Sequence, residues 1–234
     1  KPSNSEEVSY RSPIRQNIKF GPGVISYSIK DENSKIPINK TTRDILVKVL
    51  TKIGIESKDK KDIIADSILD WIDSDKTHRL NGAENDFYQN LSPPYFPKNA
   101  PIENLDELIK VREVDKKTLY GFDKRKGLID FFTTYNVETI NPNTAKPEIL
   151  SVIFSETQAK TIMKEREKKG FYDKTTSSYF RVRSTGKAED SPTNHSISTV
   201  IQKISKKEGP ILLTHYWNDN ILNNHDRSEL TGNQ

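Results

Sequence analysis

The 234-residue chain has no cysteine, one methionine, and no apolar run approaching the eighteen or so residues a membrane helix needs. Without cysteine there can be neither a disulfide framework nor a thiolate metal site. The compartment stays open, since oxidising compartments permit disulfides without requiring them. No block of five or six like charges appears, and Lys plus Arg exceed Asp plus Glu only by 37 to 33. The resulting +4 steers an acidic partner weakly, and a nucleic-acid footprint would need the cations gathered on one surface. A phosphate loop, a dinucleotide glycine pattern and a nucleophile elbow are all missing. The four histidines, His78, His195, His215 and His225, are dispersed without metal-ligand spacing. No nucleophile and base pair can be named, so the expectation is a non-enzyme. There is no visible signal peptide, and the start at Lys1-Pro2 without an initiator Met leads to the expectation that an anchor has been removed.

What is present is patterned. Hydrophobic residues make up only 32% of the chain against 30% charged, so burial must come from a few segments. Residues 1–20 are polar and read as a helix remnant or ordered lead-in. In Gly23–Lys30 the apolar Ile25, Tyr27 and Ile29 alternate with Ser26, Ser28 and Lys30, the period of a half-buried strand, which Asp31-Glu32-Asn33-Ser34 ends. From Thr41 the period becomes helical, with Ile45, Leu46, Val49, Leu50 and Ile53 on one face until Gly54. A second helix from about Asp59 carries Ile63, Ile64, Ile68, Trp71 and Ile72, while Asp62, Asp66 and Asp70 mark another face. Four prolines between Pro93 and Pro101 force an extended connection.

Short helices are predicted at Leu105–Val111, Lys116–Phe122, Lys126–Phe132, Ala145–Ile153 and Thr157–Lys168. Glu107-Leu108-Ile109 and Glu148-Ile149-Leu150 begin two similar stretches, which suggests two helix-hairpin-helix-like units. Thr144 and Pro147 suit the start of the second. Its turn, Ile153-Phe154-Ser155-Glu156, lacks the glycine that lets backbone amides meet a phosphate and carries an acid instead. Lys160, Lys164, Arg166, Lys168 and Lys169 therefore read first as a solvated face, with nucleic-acid binding as the runner-up. After Ser178 the period returns to two at Tyr179–Arg183, Ser196–Ile204 and Ile211–Trp217, a meander in which His215 is expected to be packed. The order is strand, helical block, strands: an α+β chain in which a helical domain (residues 39–177) interrupts a sheet domain (residues 1–38 and 178–234).

The most informative chemistry lies between Asp62 and Asp86, where seven acids face two bases. Such a cluster repels itself unless solvated or neutralised. A hard cation would neutralise it, because Ca²⁺ takes six to eight oxygens from carboxylates and carbonyls on a loop. With Asp73 at position one, Asp75 falls at three, Thr77 at five, the Arg79 carbonyl at seven, Asn81 at nine and Glu84 at twelve. His78 stands where the EF-hand has glycine, so a calcium-type loop of another conformation is expected. The other reading is a solvated turn in which Asp73 and Asp75 cap amides and pair with Arg79. Zinc is disfavoured, since His78 is the one nearby nitrogen ligand.

These residues have a family resemblance. Asp70-Trp71-Ile72-Asp73-Ser74-Asp75, Asn81-Gly82-Ala83-Glu84, Asp86-Phe87-Tyr88, Pro93-Pro94-Tyr95 and Pro97-Lys98-Asn99 resemble, in order and spacing, the type II secretion minor pseudopilin K family. Asp31–Asn39, Leu105-Asp106-Glu107-Leu108, Ile140–Ala145 and Tyr179–Val182 continue it, whereas Arg112-Glu113-Val114 stands where that family has a glycine. The resemblance implies a pilin-like antiparallel sheet with a large inserted α-domain and a hydrophobic N-terminal helix that this sequence lacks. It implies a periplasmic location, anchored in the inner membrane by that helix before assembly, and a place at the pseudopilus tip with I- and J-type minor pseudopilins. A secreted substrate is a further implied partner; nucleic acid is not. It also implies calcium, and matching positions favour Asp73, Asp75, Glu84 and Asp86 as ligands, with backbone carbonyls near Arg79 and Ala83.

Overall fold

The computed structural model describes residues 14–206 and 209–219. The polar ends, 1–13 and 220–234, for which a lead-in and a frayed tail are expected, lie outside them. The chain divides into two compact units. One comprises Lys1–Ser34, Thr139–Ala145 and Thr161–Gln234; the other comprises Lys35–Glu138 and Lys146–Lys160.

The first unit is built on an antiparallel sheet of order β1-β2-β5-β6-β7. Its strands are β1 (Ile14–Phe20), β2 (Gly23–Asp31), β5 (Tyr179–Ala188), β6 (Asn194–Ile204) and β7 (Ile211–Asn218). The alternating segments form strands as expected, and β2 and β5 pair in unbroken register from Gly23 opposite Ala188 to Asp31 opposite Phe180. Residues 14–20 correct the helix-remnant reading, since they pair with β2 as an edge strand. Every residue of β1 is exposed and a bulge between Arg15 and Ile18 shifts its register, so no burial pattern marks it in sequence. His215 is also corrected: it lies exposed on β7, with Nε2 2.7 Å from Gln202 Oε1. The outer strands present Phe20, Leu212 and Trp217 at 71%, 60% and 59% exposure.

A polar knot closes this unit where the chain leaves β2. Asp31 Oδ2 accepts from Ser177 Oγ at 2.5 Å, Thr144 Oγ1 at 2.5 Å and Asn141 Nδ2 at 3.1 Å, while Oδ1 accepts the Asn33 amide at 2.8 Å. Asn33 Oδ1 accepts the amides of Ser178 and Tyr179 at 3.1 and 3.0 Å. Exit from β2 and entry to β5 are thereby fastened together. Thr144 is spent here, and the helix it was expected to cap begins after Lys146.

The second unit is mainly helical: α1 (Arg43–Lys52), α2 (Lys58–Ile72), α3 (Asn85–Tyr88), α4 (Lys116–Tyr120) and α5 (Pro147–Ile153). Thr42 and Ser57 cap the first two by accepting the Ile45 and Lys60 amides. Gly54, at φ +92°, follows α1 as expected. Their apolar faces give a core of Leu46, Val49, Leu50, Ile64, Ile68 and Trp71, completed by Tyr88, whose ring meets Trp71 edge-on at 5.4 Å. The helix α6 (Glu156–Lys169) runs from this unit into the first.

Two predicted helices are shorter and tighter than expected. Leu105–Lys110 is a 3₁₀ helix, opened by a capping box between Asn104 and Glu107. At 126–132 only Leu128–Asp130 is helical, as one 3₁₀ turn, before β4 (Phe132–Thr133) pairs in parallel with β3 (Ile36–Pro37). Gly127 explains the change: a Cβ there would lie 2.3 Å from Leu119 O, so this glycine serves close packing instead of a helix start. Glu113 adopts φ +62°, so the backbone keeps a conformation that favours glycine at the place where the resembled family has one.

Glu107 supplies a pH-dependent contribution. Burial pushes its carboxyl up, but Lys98 and the Asn104 and Glu103 amides outweigh this and hold it below the usual range. A depressed folded-state pKa gives stability that is present above the unfolded value and lost as pH falls through the folded one. The stability gap between wild type and Glu107→Gln should accordingly be open at pH 7 and close toward pH 3. Thermal melts across that range measure it, and a gap independent of pH would contradict the assignment.

Candidate functional site

Helix α2 carries Asp62, Asp66 and Asp70 at four-residue spacing, which lines them along one face, and Asp73 follows as its extended C-cap. Each holds part of the following loop or of α1. Asp66, 3% exposed, accepts Arg43 Nε at 2.7 Å through Oδ1 and Asn81 N and Nδ2 at 3.3 and 3.1 Å through Oδ2. Arg43 also reaches Asp62 at 2.7 Å.

Asp70 is fully buried and is the centre of the loop. It accepts the backbone amides of Arg79, at 3.1 Å, and Ala83, at 2.9 Å, and the Arg79 guanidinium at 2.6 Å. Burial pushes the Asp70 carboxyl up, and these donors oppose it. The approach is possible because residue 82 is glycine. A Cβ there would stand 1.8 Å from Asp70 Oδ2. Arg79 Nη1 simultaneously bonds Asp73 Oδ2 at 2.6 Å, so one guanidinium nitrogen bridges two acids. That pairing, with Asp75 Oδ1 accepting the Thr77 amide at 2.8 Å, matches the turn reading of the loop.

Among the described residues, three buried oxygens of the loop from Asp73 to Asn99 nevertheless lack a hydrogen-bond partner: Asp73 Oδ1, Glu84 Oε1 and Asn99 Oδ1. Glu84 is only 2% exposed. Burial pushes its carboxyl up; the Asn99 amide offsets this, and the charges of Asp70, Asp73 and Asp75 add to the upward push. Asn99 sits at φ +45° and donates Nδ2 both to Glu84 Oε2 at 3.1 Å and to the Asp75 carbonyl at 2.8 Å. It thereby joins both ends of the acidic loop to the proline-rich stretch. A buried carboxylate oxygen left without a donor is costly, and all three orphans are oxygen acceptors. That donor chemistry fits a hard cation. Among the described residues no three or more His, Cys, Asp or Glu side chains are grouped to hold a metal, so a cation here would need amide, carbonyl and water oxygens as well.

Of the sequence-predicted ligands, Asp73 and Glu84 belong to this arrangement and Asp75 joins through its backbone. The Arg79 carbonyl already accepts the Gly82 amide at 3.0 Å and lies 2.8 Å from His78 Nδ1. Ala83 contributes its amide to Asp70. Asp86 is exposed and lines an open cleft of about 480 Å³ with His78, Leu80, Phe87 and Arg112. Asn99 was missed as a site residue; the one signal for it is its place in the Pro97-Lys98-Asn99 stretch, within the resemblance.

The cation row of α6 is partly used internally. Arg166 donates to the carbonyls of Pro142, Asn143 and Ala145 at 3.1, 3.4 and 2.8 Å, and Lys169 pairs with Glu165 at 2.5 Å.

An antiparallel sheet that is left after its second strand for a mainly helical unit, and resumed at Tyr179, defines an α+β fold with a large helical insert. Residues 27–121 match the family model "Type II secretion system (T2SS), protein K". The chain is 28% identical over 140 residues to type II secretion system protein K of Klebsiella pneumoniae, covering 58% of this chain and 40% of that protein. It is 28% identical over 163 residues to the protein of the same name from Pectobacterium carotovorum subsp. carotovorum, covering 65% and 47%. The chain thus spans less than half the length of these relatives. The fold matches a chain of the crystal structure of the GspK-GspI-GspJ complex from the enterotoxigenic Escherichia coli type 2 secretion system, with TM-score 0.71, 17% identity, and coverage of 90% of this chain and 84% of that one. The sequence likenesses are thus to type II secretion system protein K, and the structural likeness is to a fold found in the GspK-GspI-GspJ complex.

Proposed function

We propose that the chain is the periplasmic part of a non-catalytic minor pseudopilin, assembling with I- and J-type minor pseudopilins at the tip of a type II secretion pseudopilus to initiate or cap the filament. A hydrophobic N-terminal helix would anchor it in the inner membrane before assembly. The observation that carries the reading is the interrupted pilin-like sheet, whose outer strands expose large apolar residues while the insert forms its own core. Exposed apolar side chains on paired strands suit subunit contacts, since a soluble monomer gains nothing from presenting Leu212 and Trp217 to water. The size of the insert, a compact unit of its own, suits a cap.

Co-purification of the chain with I- and J-type proteins of its own secretion system tests this reading. A stable heteromeric complex is expected, weakened at least tenfold by Leu212→Glu with Trp217→Glu. Absence of association, together with normal secretion when the gene is deleted, would remove the proposal.

We also propose that the acidic loop holds calcium. Glu84 and Asp73 would bind it through their unpartnered oxygens, with the Asn99 amide oxygen as a third ligand. When bound, the ion supplies the positive charge that Asp70, Asp73, Asp75 and Glu84 together call for. Asn99 fixes Glu84 and the Asp75 backbone in place. Calcium at a hundredfold excess over its dissociation constant stabilises the folded state by about 2.7 kcal/mol. The melting temperature should therefore rise in calcium over chelator, and Glu84→Ala should abolish the rise. If wild type melts identically in both, the loop is the solvated turn.

A further inference from the structure

Arg79 has a place in this site that ligand spacing does not reveal. Its guanidinium sits 2.6 Å from Asp70 and 2.6 Å from Asp73, yet its side chain is 39% exposed, whereas Asp70 is fully buried. Asp70 does not depend on that guanidinium alone, because the Arg79 and Ala83 amides also bind it. Asp73 is held differently. One of its oxygens is paired with Arg79 and the other is buried without a partner.

We infer that Arg79 is a resident counter-cation that competes with the metal for Asp73, keeping the loop folded when calcium is scarce and setting how much calcium the site needs. The inference rests on the calcium reading above. Two cations that share one carboxylate repel each other, and each dilutes the charge available to the other. A half-exposed guanidinium can be displaced toward water at modest cost, whereas a buried one could not. The arrangement thus trades calcium affinity for stability of the metal-free form.

Calorimetric titration with calcium chloride, with melts in chelator and in calcium, tests this on wild type, Arg79→Met and Arg79→Lys. The Met variant removes the competing charge without much loss of volume. It should bind calcium about tenfold more tightly than wild type while melting lower in chelator. Lysine keeps a charge but loses the planar fork that bridges two acids, so its affinity should fall between the other two. Folding of the Met variant only in calcium would be the same result in stronger form. If the Met variant does not fold in either condition, the comparison of Lys with wild type decides. Equal or weaker binding by the folded variants would overturn the competition and leave Arg79 as a positioning residue. No saturable binding by any of the three would instead overturn the calcium reading itself.

Discussion

Replacing Gly82 with alanine should cost about 3–5 kcal/mol, a large share of the 5–15 kcal/mol typical of a folded domain. The added Cβ would fall 1.8 Å from Asp70 Oδ2 and 2.7 Å from its Cγ, and neither partner can yield easily. Asp70 is buried on a regular helix, and its oxygens already hold the Arg79 and Ala83 amides. Moving residue 82 outward takes the Ala83 amide with it and leaves a buried carboxylate short of a donor. The same substitution at Gly186 is the control, since a Cβ there meets nothing within 4 Å. Gly186→Ala should stay within about 1 kcal/mol of wild type. Denaturant unfolding of both variants measures the difference. Comparable losses would mean that the loss at Gly82 reflects glycine's backbone freedom and not the approach of Asp70.

This glycine also marks the limit of what was legible in the sequence. The helical period of Ile45–Ile53 and the four-residue repeat of Ile64, Ile68 and Trp71 led directly to α1 and α2, because burial on one face dictates both. The alternation in β2, β5 and β6 did the same for the sheet. β1 was not readable, since an exposed edge strand is held by backbone pairing and its side chains carry no burial signal. The acids between Asp62 and Asp86 announced an unusual electrostatic site. They did not announce its division of labour, in which Asp66 and Asp70 act as buried anchors for the loop while Asp73 and Glu84 keep free oxygens. That division depends on close approach at Gly82 and on Asn99, which is distant in sequence and recruited by a left-handed turn. Neither contact has a spacing rule.

Asp31→Ala should cost about 2–4 kcal/mol, through loss of charge-assisted bonds and the stranding of their donors. The carboxylate gathers the hydroxyls of Ser177 and Thr144, the Asn141 amide group and the Asn33 backbone amide, so four donors from three chain segments lose one acceptor together. Asn33 is the next link, because its own Oδ1 carries the Ser178 and Tyr179 amides at the start of β5. Loosening Asp31 should therefore free those two amides, and hydrogen exchange should report the change there. Asp31→Asn keeps the shape and one acceptor oxygen and should fall between alanine and wild type. The amides of α2, which belongs to the other compact unit, should keep their protection while Ser178 and Tyr179 lose theirs. Equal acceleration in both places would show that the knot supports global stability and does not specifically fasten the point where the sheet gives way to the insert.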